Sequence, residues 1–129
     1  DEASRILEQV RLADKSAATA SSLPHGDQRK LEVALLIALD PKVFMFDEPT
    51  AGMSVDEVPV VLDLIHQLKA RKDILILLVE HKMDVVRELS DRIIVLHNGQ
   101  LVADGEPAAV IASPVVQQAY LGHAAEEPA

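Results

Sequence analysis

The sequence predicts an α/β fold of parallel strands with flanking helices and a β-hairpin appended towards the C-terminus. Three observations predict it. Val43-Phe44-Met45-Phe46 and Ile74 to Val79 are short, unbroken apolar runs, the pattern of parallel strands covered on both faces. The stretch between them has helical periodicity, and parallel strands need a crossover of that kind. Asn98-Gly99, preceded by His97, sits between two β-rich runs, and Asn-Gly in that setting is a strong hairpin signal.

The elements follow in order. Glu2 to Leu12 reads as a short helix with Ile6, Leu7 and Val10 on one face. Ala17 to Ser22 is small and polar and reads as a loop, and Leu23-Pro24-His25-Gly26 then punctuates the chain. Asp27 to Leu39 reads as a helix: Asp27 suits its positive N-terminal end, and Asp40-Pro41 stops it. Apolar residues circle most of that helix, so it is expected to be largely buried. The crossover helix ends near Ala70. Ser54 and Glu57 have capping-box spacing, whereas Pro59 fits a start nearer Asp56, so its first residue stays open between the two. Its apolar stripe is Val58, Val61, Leu62, Ile65 and Leu68.

Lys82 to Leu89 reads as a short helix, and Ile93–Leu96 and Gln100–Ala103 as the hairpin strands. Pro107 to Ala112 and Pro114 to Leu121 are helical, the second ended by Gly122. Residues 1–122 are expected to form one domain and residues 123–129 a flexible tail.

Composition removes several functions. Asp and Glu number 21 against 12 Lys and Arg, a net charge of -9, which is a poor match to nucleic-acid phosphates. Phe44, Phe46 and Tyr120 are the only aromatic residues, too few for a base-stacking platform. With no cysteine there is no disulfide, thiolate metal site or cysteine nucleophile. The longest apolar runs fall far short of the ~20 residues of a spanning helix. The opening Asp1-Glu2-Ala3 has no signal-peptide character and no initiator Met, so a piece of a longer chain is expected. His66, His97 and His123 have no metal-ligand spacing.

Chemistry is expected beyond the carboxyl ends of the strands, where open parallel sheets bind ligands. One strand ends in Asp47-Glu48 and the other in Glu80-His81. A carboxylate pair there can hold Mg²⁺ through water and activate a second water, and a neighbouring histidine can reach a phosphate. Gly26, opening a helix, lets backbone approach an anion. Each feature alone is equally an ordinary turn or strand end.

Their order is more specific. Leu23-Pro24-His25-Gly26-Asp27-Gln28, then Asp40-Pro41, Phe44-Met45-Phe46-Asp47-Glu48-Pro49-Thr50, Val79-Glu80-His81 and Asp91 to Gly99 together resemble the C-terminal half of an ABC-type ATPase domain, a partial P-loop NTPase fold. The likeness runs from about Ser22 to Gly105. The resemblance implies that Leu23, Pro24, His25, Gly26, Asp27 and Gln28 form the nucleotide-facing signature loop. It implies that Asp47 holds Mg²⁺ through water, that Glu48 is the catalytic base and that His81 is the switch histidine. Ala51-Gly52-Met53-Ser54 falls on the D-loop. Val79-Glu80-His81-Lys82-Met83 and the closing Ala119-Tyr120-Leu121-Gly122 look most like ATPases of branched-chain amino acid uptake.

Departures accompany the likeness. Pro24 and His25 stand where the family usually has Ser and often Gly, and Ser54 stands where the D-loop has Asp. No Gly-x-x-x-x-Gly-Lys-[Ser/Thr] occurs in the 129 residues, so ATP and Mg²⁺ binding are expected to need an N-terminal half, and these residues alone are expected to be inactive. The resemblance further implies a second ATPase subunit, transmembrane permease subunits and a site of work at the cytoplasmic face of the membrane. Without the P-loop strand, self-association through open strand edges or an altered arrangement of Ile93–Leu96 is expected. The competing expectations are a non-catalytic interaction or regulatory module of the same shape and, less favoured, an ABC-type ATPase acting outside transport.

Overall fold

A computed structural model describes residues 1–126. They cluster into two compact units, Asp1–His81 and the residues from Lys82 onward, and each is described by itself.

The first unit contains α1 (Glu2–Gln9), α2 (His25–Leu39), β1 (Val43–Asp47), α3 (Val58–Lys69) and β2 (Leu75–Val79). β1 and β2 pair in parallel, from Val43 opposite Leu75 to Asp47 opposite Val79, with α3 as the crossover. This register brings the two strand ends, Asp47 and Val79, side by side.

Alternation decides how β1 packs. Phe44 and Phe46 point to one face and are buried, their rings stacked with centroids 6.2 Å apart. Val43 and Met45 point the other way and are exposed, as are Leu75, Leu77 and Val79 on β2. The expectation that both strands are covered on both faces is therefore corrected: among the described residues one face of this two-stranded sheet is open. Complete burial of Phe44 contributes about 2–3 kcal/mol to the covered face.

α3 supplies much of that cover through Val60, Val61, Leu64, Ile65 and Leu68. The helix begins at Val58 rather than at Ser54 or Asp56, and its most buried residues include Val60 and Leu64, while Val58 and Leu62 of the expected stripe are half-buried at its border. Pro59 occupies the first turn, where its missing N–H costs nothing. α2 is also corrected. It begins at His25, and it buries only Gly26, Asp27, Lys30, Val33 and Ala34 while Leu35 and Leu39 stand in solvent. Apolar residues ring this helix, but only one side of it meets protein within the unit.

α1 stops at Gln9 rather than at Leu12, because Arg11 takes a left-handed φ of 58° and turns the chain. Val10 and Leu12 on either side of Arg11 enter the core. The expected loop over residues 17–22 includes a 3₁₀ turn, Ala20–Ser22, and another, Ala13–Lys15, precedes it. From this segment Lys15 reaches the start of α2, where its ammonium meets Asp27. Lys30 Nζ meets the other oxygen of Asp27 at 2.7 Å. At the far end of the strands Arg71 donates to Asp40 Oδ1 at 2.7 Å and to both oxygens of Asp73 at 3.1 and 2.9 Å, tying the approaches to β1 and β2 together.

The second unit contains α4 (Met83–Leu89), β3 (Ile93–His97), β4 (Gln100–Gly105), α5 (Pro107–Ala112) and α6 (Pro114–Glu126). β3 and β4 form the expected antiparallel hairpin. Asn98 and Gly99 take φ of 50° and 74°, the two positive values a type I′ turn requires. Arg92 clasps Asp104 across the strands at 2.7 and 2.6 Å. Ile93, Val110 and Val116 form the core, with Met83, Val86, Val95, Ala103 and Ile111 packed around them. Glu106 caps α5 by accepting from the Ala108 and Ala109 N–H groups. α6 continues through Gly122 to Glu126, so the expected stop at Gly122 is corrected, and the helix includes residues 123–126 of the expected tail. One glycine inside a helix costs only about 1 kcal/mol, so Gly122 need not end it. The rest of the expected tail, residues 127–129, lies outside the described residues.

Asp27 is the charged group on which the α2 start depends. Hydrogen bonds from Lys15 and then Lys30 hold its carboxyl below the usual carboxylate range. A carboxyl lowered in the folded state contributes stability above its unfolded pKa of about 3.9 and loses it as the pH falls through the folded value. Asp27→Asn is expected to destabilise the protein by about 2 kcal/mol in urea unfolding at neutral pH, leaving two ammonium groups without their counter-ion. The difference from wild type is expected to shrink on acidification below pH 4; a constant difference contradicts the assignment.

Candidate functional site

The site is built where β1 and β2 end. The parallel ladder continues one residue past β1: the Glu48 N–H donates to the Val79 carbonyl at 2.8 Å. Glu48 then takes φ of 46°, left-handed backbone that a non-glycine residue adopts at a cost of about 1–2 kcal/mol. The Ala51 N–H returns to the Glu48 carbonyl at 3.0 Å and closes the turn, and Thr50 is completely buried beneath it. The strain keeps Glu48 in line with β2 while the chain turns away.

His81 lies two residues past β2. Its Nδ1–H donates to Glu48 Oε1 at 2.8 Å. A carboxylate only accepts, so this bond assigns the proton to Nδ1. The His81 N–H donates to Glu80 Oε1 at 3.0 Å, and the Glu80 side chain is buried. Both members of the Glu48–His81 pair remain open to solvent, with side-chain exposures of 45% and 67%. Asp47, the last residue of β1, is exposed beside them. Pairing 33 residues apart in sequence thus rests on the parallel register together with the turn at Glu48.

The start of α2 lies in the same unit. Pro24 is its N-cap residue and supplies no side-chain cap. Leu23 is half-buried and closes the preceding 3₁₀ turn, and Gln28 Nε2 reaches the Ala20 carbonyl at 3.5 Å. Asp27 faces inward onto its two lysines, so its carboxylate serves the fold. Gly26 is buried, and a Cβ placed on it would lie 2.1 to 2.3 Å from the Glu57 carboxylate, so any larger residue would displace that side chain. His25 turns its exposed ring to the Ala51 carbonyl, with Nε2 at 3.3 Å.

Sequence reasoning missed this interlock of residues 25–26 with residues 51–57. The available signal was the Ser54/Glu57 spacing. The Ser54 N–H and hydroxyl do meet Glu57 Oε2, at 3.2 and 3.0 Å, but in the turn before α3 rather than at its cap.

What the site can hold follows from its donors. Among the described residues no group of three or more His, Cys, Asp or Glu side chains could cage a metal ion. One exposed carboxylate at Asp47 fits Mg²⁺ that keeps most of its ligands as water and phosphate. A crevice beside Asp47, between α2 and β1, has a volume of about 100 Å³ and is lined by Arg29, Glu32, Val33, Leu36, Met45 and Phe46 among others. That is below the ~300 Å³ of a small-molecule pocket.

The family model described as ABC transporter matches residues 1–51, and the one described as branched-chain amino acid ATP-binding cassette transporter matches residues 100–126. In fold the chain is similar to MJ1267, an ATP-binding cassette of an ABC transporter, in its ADP conformation. The TM-score is 0.78 at 31% identity, covering 94% of this chain and 49% of that one. The chain belongs to the ABC transporter ATP-binding family and is a partial domain of that kind.

Within the family its likeness is to ATP-binding proteins of branched-chain amino acid transport. It is 40% identical over 124 residues to the high-affinity branched-chain amino acid transport ATP-binding protein LivG of Escherichia coli (strain K12), covering 96% of this chain and 49% of the relative. It is 38% identical over 122 residues to the corresponding protein BraF of Pseudomonas aeruginosa, covering 95% and 48%. The chain therefore spans about half the length of the curated relatives it matches. No described helix is long and apolar enough to cross a membrane.

The Glu48–His81 bond makes a spectroscopic prediction. Nitrogen-15 NMR of the complete subunit is expected to show the His81 Nδ1–H tautomer at a pH where the ring is neutral. Glu48→Ala is expected to shift His81 towards the Nε2–H form that free imidazole favours. An Nε2–H ring in the wild type contradicts the bond.

Proposed function

We propose that the complete subunit carrying this chain hydrolyses ATP to drive an ABC transporter, with branched-chain amino acids as the transported class. The observation that carries the proposal is the Glu48–His81 pair, 2.8 Å apart at the carboxyl ends of adjacent parallel strands, with Asp47 next to it. Family membership and the likeness to LivG and BraF support the direction of the reading.

Glu48 accepts a proton from the attacking water, whose oxygen forms a bond to the γ-phosphorus as the bond to the ADP oxygen breaks. His81 holds the Glu48 carboxylate through Nδ1–H and turns Nε2 outward. Nε2 donates to a phosphate oxygen only from the doubly protonated ring. Asp47 would hold Mg²⁺ through water, and the ion supplies charge neutralisation on the phosphates when bound. Gly26 and the uncapped first turn of α2 would present backbone N–H groups to nucleotide, with Leu23, Pro24, His25 and Gln28 shaping the approach and Asp27 anchoring the helix from behind.

The 129 residues contain no P-loop sequence, and the relatives are about twice as long, so ATP and Mg²⁺ binding is proposed for the complete subunit. A second ATPase subunit and transmembrane permease subunits are the proposed partners, at the cytoplasmic face of the membrane. The isolated chain, with β1–β2 and β3–β4 edges open, is proposed to self-associate.

An ATPase assay tests the reading. The complete subunit is expected to turn over ATP, His81→Ala to reduce kcat by about 10²-fold, and the 129-residue chain alone to show none. A complete subunit without ATPase activity contradicts the proposal, and turnover by the 129 residues alone contradicts their dependence on the remaining half.

A further inference from the structure

His25 stands at the first position of α2, and its side chain is not spent on its own helix. Its Nε2–H donates to the Ala51 carbonyl at 3.3 Å, 26 residues away in sequence. A carbonyl only accepts, so the bond assigns the proton to Nε2. Ala51 is the residue whose N–H closes the turn at Glu48. The bond therefore runs from the start of α2 to the backbone that sets Glu48.

Two neighbouring contacts fix the same pair of segments. Gly52 takes φ of 73° and packs so closely on the imidazole that a Cβ there would lie 2.9 Å from His25 Nε2. Gly26 packs on the Glu57 carboxylate, which is itself held by the Ser54 N–H and hydroxyl. Residues 25–26 and 51–57 thus interlock at both ends of the second segment. Of the three contacts, His25 to Ala51 is the hydrogen bond made by an exposed side chain.

We propose that His25 is a positioning residue that ties the turn before α2 to the loop after Glu48 within one chain, so that displacement of either is felt by the other. The role concerns the reaction proposed above and rests on it, because the loop held by His25 begins at the carboxylate assigned as base. His25 touches no reacting atom; it acts through Ala51.

The test compares His25→Phe, which keeps a ring and loses the donor, with His25→Gln, whose amide Nε2–H reaches to the same place. Both are made in the complete subunit. Hydrogen–deuterium exchange reads the loop without nucleotide, and steady-state kinetics read the reaction. His25→Phe is expected to speed exchange at Gly52 and Met53 about three- to tenfold, the range one neutral hydrogen bond supports. It is expected to lower kcat by a similar factor with KM for ATP within about twofold and an unchanged melting temperature. His25→Gln is expected to restore both. Unchanged exchange in His25→Phe, an unchanged kcat, or a Gln variant as impaired as Phe overturns the proposal. A wild-type subunit without ATPase activity would overturn the function proposed above, and the exchange measurement would then decide the coupling alone.

Discussion

One residue past β1 the backbone does two things at once. The Glu48 N–H stays on the ladder with Val79, and the Glu48 φ of 46° turns the chain out of the sheet. The parallel register depends on the first and the loop over residues 49–57 on the second. The left-handed backbone is a local cost of about 1–2 kcal/mol, and it is held by the Ala51 hydrogen bond and the burial of Thr50. A relaxed residue at position 48 would continue the strand and carry the carboxylate away from His81.

Charge organises the unit at two places of different character. Asp27 is buried between Lys15 and Lys30, where loss of one partner leaves a charge with little water to screen it. The Arg71, Asp40, Asp73 and Lys42 cluster is exposed, so its individual pairs contribute little even though hydrogen bonds from Arg71 hold Asp73 well below the usual carboxylate range. The buried group fixes where α2 begins. The exposed cluster restrains the opposite ends of the strands. Glu48, Asp47 and His81 are left at a face open to water and ligands.

Local pattern made much of the fold legible. Unbroken apolar runs marked β1 and β2 to within a residue, and Asn98-Gly99 marked the hairpin because two positive φ values suit so few residue pairs. Motif order, rather than any single motif, singled out Asp47, Glu48 and His81, which the fold brings to neighbouring strand ends. What stayed hidden was set by tertiary contact. Val43 and Leu75 read as core residues, yet one sheet face has no cover among the described residues. Leu35 and Leu39 read as buried for the same reason and are not. Asp27 read as nucleotide-facing through the resemblance of Leu23 to Gln28 to a signature loop, and its lysine partners come from elsewhere, Lys15 from a turn with no motif of its own. The His25–Ala51 bond joins segments that no spacing rule connects.

The central claim is that Glu48 is the group that takes the proton from water. Removing its charge while keeping its shape isolates that role. In the complete subunit, Glu48→Gln is expected to bind Mg-ATP with wild-type affinity while single-turnover phosphate release slows by about 10²-fold or more. Phosphate release at the wild-type rate would contradict the account, because the base would then have to be another residue.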